Sequence, residues 1–330
     1  MVPHLNSSSQ NPTQTPSAKA SPAHVSVLLE EVLHTLAPQA GEVFVDATLG
    51  AGGHAEALLA RLQPGGLLFG IDQDPSALKL AGERLAGFGE AFQPLQGNFS
   101  QLATLLPEGT RPITGGVLAD IGVSSMQLDQ GERGFSFMKA APLDMRMSPL
   151  NPLTAAEVVN TYNETRLVQI FSEYGEEHMS KTLARRIVQV RAQSPFETTT
   201  QLAEFISAEY KSHGKHEKIH PATRVFQALR IEVNDELGHL QTFLESLPAL
   251  LAPCARVAII SFHSLEDRIV KQFFQAESRD CICPPRLPVC QCGHVATFKV
   301  MKGKPLQATE AEIKRNPRSR SAKLRVATRL

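Results

Sequence analysis

The sequence predicts a doubly wound α/β sheet interrupted by a helical insertion, and three observations carry that prediction. Short apolar, β-branched runs alternate with helix-compatible stretches through the first third of the chain. The first of these runs ends in an acid and a glycine-rich turn, Asp46-Ala47-Thr48-Leu49-Gly50-Ala51-Gly52-Gly53-His54. A long stretch of helical period, almost free of strand signal, then separates the fourth run from the fifth.

Strands are expected at Val43 to Asp46, Leu67 to Asp72, Ala91 to Leu95, Gly116 to Asp120 and Arg256 to Ser261. Helical runs, beginning with Ala55 to Leu62, separate the first four, which implies parallel pairing with right-handed crossovers. Further helices are expected at Leu153 to Thr161, Glu164 to Tyr174, His178 to Ala192 and Thr200 to Lys211, punctuated by Pro149, Pro152 and Pro195. A crossover needs only one helix. Residues 140–220 are therefore expected to be an inserted helical substrate-recognition domain, with 24–139 and 221–330 forming a discontinuous core. Pro221 fits the first turn of a long helix running to about Leu250. The insertion starts just after Asp120, so it would overhang the carboxyl ends of the strands, where open α/β sheets bind ligands. Lys181, Arg185 and Arg186 are candidates to line that overhang, although their spacing also suits a solvated helix face.

The chain has 330 residues, 42% of them hydrophobic, enough for one large domain or two ordinary ones. No stretch is long and apolar enough to span a membrane. The N-terminus lacks the basic start and apolar centre of a secretory signal. Residues 5–23 are rich in Ser, Pro, Gln, Asn and Thr, so 1–23 is expected to be a disordered extension. These features favour a cytoplasmic protein. Net charge is zero but unevenly spread, because the segment Lys299 to Leu330 carries ten Lys plus Arg against two Glu. A basic tail on an acidic body suits a polyanionic partner, and equally a solvated terminus. Cys254 is expected in the core. Cys281-x-Cys283 and Cys290-x-Cys292 suggest zinc before disulfides, but C-x-C is a less usual ligand spacing than C-x-x-C, and no metal ligand is assigned.

Gly50-x-Gly52-x-x-Ala55, with Asp72 twenty residues beyond Gly52, fits the loose dinucleotide pattern. Asp72 would end the second strand, where a ribose diol can be gripped. Asp46, four residues before the first glycine, weighs against a pyrophosphate, which prefers helix N-terminal N–H groups with no carboxylate nearby. S-adenosylmethionine carries an ammonium and a sulfonium instead, and an acid favours both. Asp46 thus tilts the choice towards the methyl donor. Asp120, closing the fourth strand, suits methyl transfer to an exocyclic amine. Such an amine is a poor nucleophile, and a carboxylate accepting its N–H can assist proton loss. Carbon-5 methylation would need a cysteine near this strand, and none is there.

The chain resembles the bacterial small-subunit rRNA (cytosine-N4)-methyltransferases, the family also called RsmH or MraW. The resemblance rests on His24 to Glu31, Asp46 to His54, Gly70 to Pro75, Gly97 to Phe99, Asp120 to Gln127, Glu132 to Phe137 and Pro142 to Met147. It continues through His220 to Ile231, Ser261 to Arg268 and Asn316 to Ser321. It implies a Rossmann-like methyltransferase sheet and a donor site at Gly52, Gly53, His54, Asp72, Phe99, Asp120 and Gln127, with Asp120 catalytic. It further implies a cytosine in the decoding region of small-subunit rRNA, methylated in an assembled or late-assembling subunit. The base must be unstacked to react. Phe135 and Phe137 are candidates to hold it, or else to pack under the insertion. Arg133, Arg146, Arg224 and Arg230 are candidate phosphate contacts. Ser261 and His263 end the fifth strand near the same face. The rival readings are a non-catalytic ribosome-assembly factor, a nicotinamide-dependent oxidoreductase, and an amino-methyltransferase acting on another nucleic acid.

Overall fold

The computed structural model describes residues 26–124, 131–214, 219–284, 287 and 289–330. The expected extension 1–23 and the expected donor ligand Gln127 lie outside the described residues.

Seven strands form one sheet in the order β3-β2-β1-β4-β5-β7-β6. They are β1 (Val43–Asp46), β2 (Leu67–Asp72), β3 (Phe92–Gln96), β4 (Gly116–Asp120), β5 (Arg256–Ser261), β6 (Phe298–Val300) and β7 (Lys323–Arg329). The first five are parallel; β7 runs antiparallel to both β5 and β6.

The central strands read as continuous apolar runs because both faces are covered. Alternate side chains supply the two faces. Val45, Phe69, Val117 and Ile259 face α4 (Leu102–Leu105), α10 (Glu236–Leu250) and α11 (Ser264–Glu277). Phe44, Leu68, Leu118 and Ala258 face α1 (Leu29–Leu36), α2 (Gly53–Leu62) and α3 (Pro75–Leu85).

Between β4 and β5 the chain makes α5 (Ala155–Thr161), α6 (Glu164–Glu173), α7 (Ser180–Arg191), α8 (Thr199–Ser212) and α9 (Ala222–Asn234). Val158, Phe171, Leu183, Ile206, Tyr210 and Phe226 meet in a core separate from the sheet. Thr154, Asn163 and Thr198 cap α5, α6 and α8 by accepting backbone N–H bonds, which sets where those helices start.

The single long helix expected from Pro221 to about Leu250 is two helices. Asp235 adopts a left-handed conformation, φ 45° and ψ 43°, between α9 and α10. The break changes which core the chain serves. Val225, Phe226 and Leu229 of α9 join the helical cluster, whereas Leu240, Phe243 and Leu247 of α10 join the sheet. Helical periodicity runs through both, so the pattern alone conceals the turn.

Cys254 is not in the core. It is exposed, in the turn before β5, with φ 70°, and its N–H donates to the Arg329 carbonyl at 2.9 Å. The basic C-terminal segment is built into the fold. Leu324, Val326 and Ala327 of β7 are buried, and Lys323 and Arg325 both pair with Asp267, at 3.1 and 2.7 Å. Upstream, α12 (Glu310–Arg315) brings Glu312 to accept the Leu28 N–H at 2.8 Å, tying this segment to the start of α1. Lys299, Lys302, Lys304, Lys314, Arg315, Arg318 and Arg320 remain exposed.

Candidate active site

From β1 the chain runs outward to β2 and β3, then returns to β4 on the other side of β1. The carboxyl ends of β1 and β4 therefore mark the topological switch point, where open sheets bind ligands. A cavity of about 660 Å³ opens there. Its walls come from the β1 loop, the ends of β2 and β4, the Gly97–Phe99 turn, and the α9–α10 junction, with Asn316 and Arg318 at its edge.

The β1 loop is held by its glycines and by Asp72. Gly50 takes φ +52°, which turns its N–H to Asp72 Oδ2 at 2.9 Å. Asp72 Oδ1 accepts the Asp74 N–H at 2.8 Å, so the carboxylate is oriented from both sides while facing the cavity. Gly52 does not line the cavity. It takes φ +76° at the start of α2, and a Cβ there would meet Ala81 and Leu85 of α3 at 3.3 Å. Its contribution is to backbone shape and helix packing. Gly53 and His54 do line the cavity, on the first turn of α2.

Asp46 lies behind the wall formed by Ala47 and Thr48. It is 1% exposed and does not line the cavity, so it bears on a bound cation through its field rather than by contact. Its Oδ1 accepts the Thr48 N–H at 3.2 Å, and its Oδ2 has no hydrogen-bond partner among the described residues. Burial pushes its pKa up to about 7.

Asp120 does face the cavity. Its N–H donates to the Thr48 hydroxyl at 2.6 Å, locking the β1 loop to the end of β4. Its Oδ1 has no hydrogen-bond partner among the described residues, and its Oδ2 lies 3.9 Å from His54 Nδ1. His54 Nε2 sits 2.9 Å from the Val27 carbonyl, so Nε2 carries the hydrogen and Nδ1 points at Asp120. Burial, then the charges of Asp46 and Glu266, pushes the Asp120 pKa up to about 8. Burial likewise raises Asp72 to about 6.

Phe99 forms an aromatic wall, edge-to-face with Phe243 of α10 at 5.3 Å and 88°. Ser100 Oγ and His239 Nδ1, 3.0 Å apart, hold the Phe99 segment to the same helix. Below Asp120, Arg230 forms a two-pronged pair with Glu236 at 2.7 and 2.9 Å. Glu266 accepts the Phe262 N–H at 2.8 Å and caps α11 together with His263. Ligand atoms of Glu236, His263 and Glu266 lie within 4.8 Å of one another, but the Arg230 guanidinium already supplies their cation.

Several sequence candidates have structural partners instead. Arg133 pairs with Asp74 at 2.9 Å and donates to the Arg146 and Met147 carbonyls. Arg146 pairs with Asp144 at 2.8 Å and donates to the Asn151 carbonyl. Arg186 pairs with Glu209, whereas Lys181 and Arg185 are exposed. Arg224 is half-buried and does not line the cavity. Phe135 packs against the helical core, and Phe137 lies against Phe226 and His220, with ring centroids 4.9 and 4.7 Å away. Ser261 is buried and His263 caps a helix. Asn234, Glu236 and His239 were missed. They reach the cavity only because the turn at Asp235 re-aims the chain, and helical spacing carries no trace of that turn.

The cavity suits a cationic ligand. Asp72, Asp120 and Glu236 line it, with Arg230 held by Glu236, and Asp46 and Glu266 stand behind; the Asp120 side chain is partly exposed while its Oδ1 is a buried acceptor with no hydrogen-bond partner among the described residues. A pyrophosphate at the first turn of α2 would lie among these carboxylates, which disfavour its charge. The residues present thus fit a donor bearing a sulfonium and an ammonium.

The model of the MraW methylase family matches residues 21–330. The ribosomal RNA small subunit methyltransferase H of Geobacter sulfurreducens is 51% identical over 308 residues, covering 93% of this chain and 99% of that protein. The protein of the same name from Syntrophotalea carbinolica is 52% identical over 307 residues, covering 93% and 98% respectively. That from Symbiobacterium thermophilum is 48% identical over 307 residues, covering 93% and 96%.

Proposed function

The chain belongs to the MraW methylase family, and on that premise we propose that it transfers a methyl group from S-adenosylmethionine to the exocyclic N4 of a cytosine in small-subunit rRNA. The observation that carries this reading is Asp120: a carboxylate at a strand end, facing a cavity, with one oxygen unpartnered and its pKa raised to about 8.

The bound donor supplies an electrophilic methyl group on a positively charged sulfur. Asp72, Gly53, His54 and Phe99 are the residues that would hold it. Asp72 offers oriented oxygens to a ribose diol, and Phe99 offers a ring to the adenine. The Asp120 carboxylate accepts an N–H of the incoming amine, aligning its lone pair. The proton released on transfer is taken by Asp120, whose raised pKa matches that role near neutral pH. No covalent enzyme intermediate is required.

Residues 140–220 are assigned to substrate recognition, with exposed Lys181 and Arg185 among their cations. Arg318, exposed at the cavity edge, supports phosphate contact by the C-terminal segment. The cytosine is placed in the decoding region, within an assembled or late-assembling subunit, on the strength of the resemblance.

The test incubates the protein with methyl-labelled S-adenosylmethionine and small subunits lacking the modification, followed by mass spectrometry of the nucleosides. N4-methylcytosine in rRNA, absent with Asp120→Asn, is the expected result. Methylation at another atom, or none despite tight donor binding, overturns the assignment.

A further inference from the structure

The loop between α11 and β6, residues 278–297, has no helix or strand among its described residues. Loops this long inside a compact domain usually owe their shape to something other than secondary structure. It has little apolar core, since Ile282, Val289 and Val295 are 51%, 68% and 71% exposed. Its ends are nevertheless stitched together. The Thr297 N–H donates to the Glu277 carbonyl at 2.8 Å, and His294 Nδ1 lies 2.8 Å from the Arg279 carbonyl.

At the far end of this ribbon four cysteines converge. The sulfurs of Cys281, Cys283, Cys290 and Cys292 all lie within 4.8 Å of one another. Cys290 and Cys292 sulfurs are 3.6 Å apart, and those of Cys292 and Cys281 are 3.9 Å apart. A tetrahedral zinc with Zn–S bonds of about 2.3 Å sets its sulfurs roughly 3.8 Å apart. A disulfide would need about 2.05 Å.

Backbone N–H groups also point at the sulfurs. Gln291 donates to Cys283 Sγ at 3.4 Å, Cys283 donates to Cys281, and Ile282 and His294 donate to Cys292. Gly293, with φ +60°, turns the chain directly after the last sulfur.

We propose that Cys281, Cys283, Cys290 and Cys292 form a tetrahedral four-thiolate site for one structural zinc ion. The C-x-C spacing that weighs against zinc in the sequence is accounted for by the ribbon. The chain bends at Cys283 and at Cys292, and each pair offers both sulfurs to the same point. Binding releases the four thiol protons to solvent, leaving a centre of net charge −2 with all four coordination positions filled by protein. Closed coordination makes the site structural, since catalytic zinc keeps an open position. The metal holds the ribbon that leads into β6.

The test measures metal in the full-length chain, purified untagged and dialysed against metal-free buffer. About one zinc per chain is expected, released in proportion as an organomercurial titrates the thiols. Cobalt in its place should give the intense absorption of tetrahedral thiolate coordination. The double variant Cys290→Ser, Cys292→Ser should lose the metal. Metal-free protein with all five cysteines alkylatable, two disulfides by mass spectrometry, or iron with inorganic sulfide would each overturn the proposal. Because stoichiometry and the cobalt spectrum use the natural sequence, the result stands even where the variant fails to fold.

Discussion

Asp120 and His54 face each other across the cavity wall, carboxylate Oδ2 to ring Nδ1 at 3.9 Å, while His54 Nε2 is anchored on the Val27 carbonyl. The anchor fixes the ring's direction, so the histidine is a positioning residue that presents one nitrogen to the acid. At this separation the contact is electrostatic rather than a hydrogen bond. The ring therefore takes up no hydrogen bond of the Asp120 carboxylate.

Asp120→Asn preserves shape and removes the proton acceptor. Methyl transfer to small subunits should fall roughly 10²- to 10⁴-fold, the usual worth of a positioned base. Donor affinity, followed by calorimetry, should change by less than tenfold. Comparable losses in both would make Asp120 a binding residue only.

Asp72→Ala should show the opposite balance. It removes the acceptor for the Gly50 and Asp74 N–H groups and the proposed ribose contact. Donor affinity should drop about 10- to 100-fold, in line with loss of charge-assisted hydrogen bonds. The rate at saturating donor should be less affected, which single-turnover kinetics would measure.

The three raised acids make the free protein's stability pH-dependent. Unfolded, each titrates near 3.8; folded, Asp72, Asp46 and Asp120 titrate at about 6, 7 and 8. The folded state therefore binds more protons between these limits, and stability falls as pH rises through them. The thermal midpoint without donor should decline from pH 5 to pH 8, and Asp120→Asn should flatten the upper part of that decline. Asp144 and Asp267 are lowered by neighbouring cations and act at more acid pH, outside this window.

The same acids predict that a cationic donor drives out protons. S-adenosylmethionine affinity should increase with pH between about 6 and 8, following Asp72, Asp46 and Asp120. The demethylated product, which lacks the sulfonium charge, should show a smaller increase. Equal pH slopes for the two ligands would remove the electrostatic account of the site.

Glu236→Ala would take from Arg230 its two-pronged partner in the cavity wall; the Arg230 and Glu236 side chains are 18% and 5% exposed. Breaking such a pair from one side costs about 3 kcal/mol, which denaturant unfolding would register.

Sequence determined the parallel half of this protein almost by itself. Each of those strands is buried on both faces, so each appears as a compact apolar run, and strand ends with special chemistry are marked by Asp46, Asp72 and Asp120. The glycine loop was equally legible, because positive φ at Gly50 and Gly52 demands that residue type. What only the tertiary structure decided was proximity between distant segments. The turn at Asp235 splits a continuous helical pattern and sends α10 to the cavity. The basic terminus becomes an antiparallel strand that buries Leu324, Val326 and Ala327 while Asp267 pairs with Lys323 and Arg325. Gly52 and Asp46 sit behind the site rather than in it, and four cysteines meet at one point. Periodicity records how each segment meets its own layer. Which segments then share a cavity depends on turns and charge pairs spanning many residues, and no local pattern encodes those.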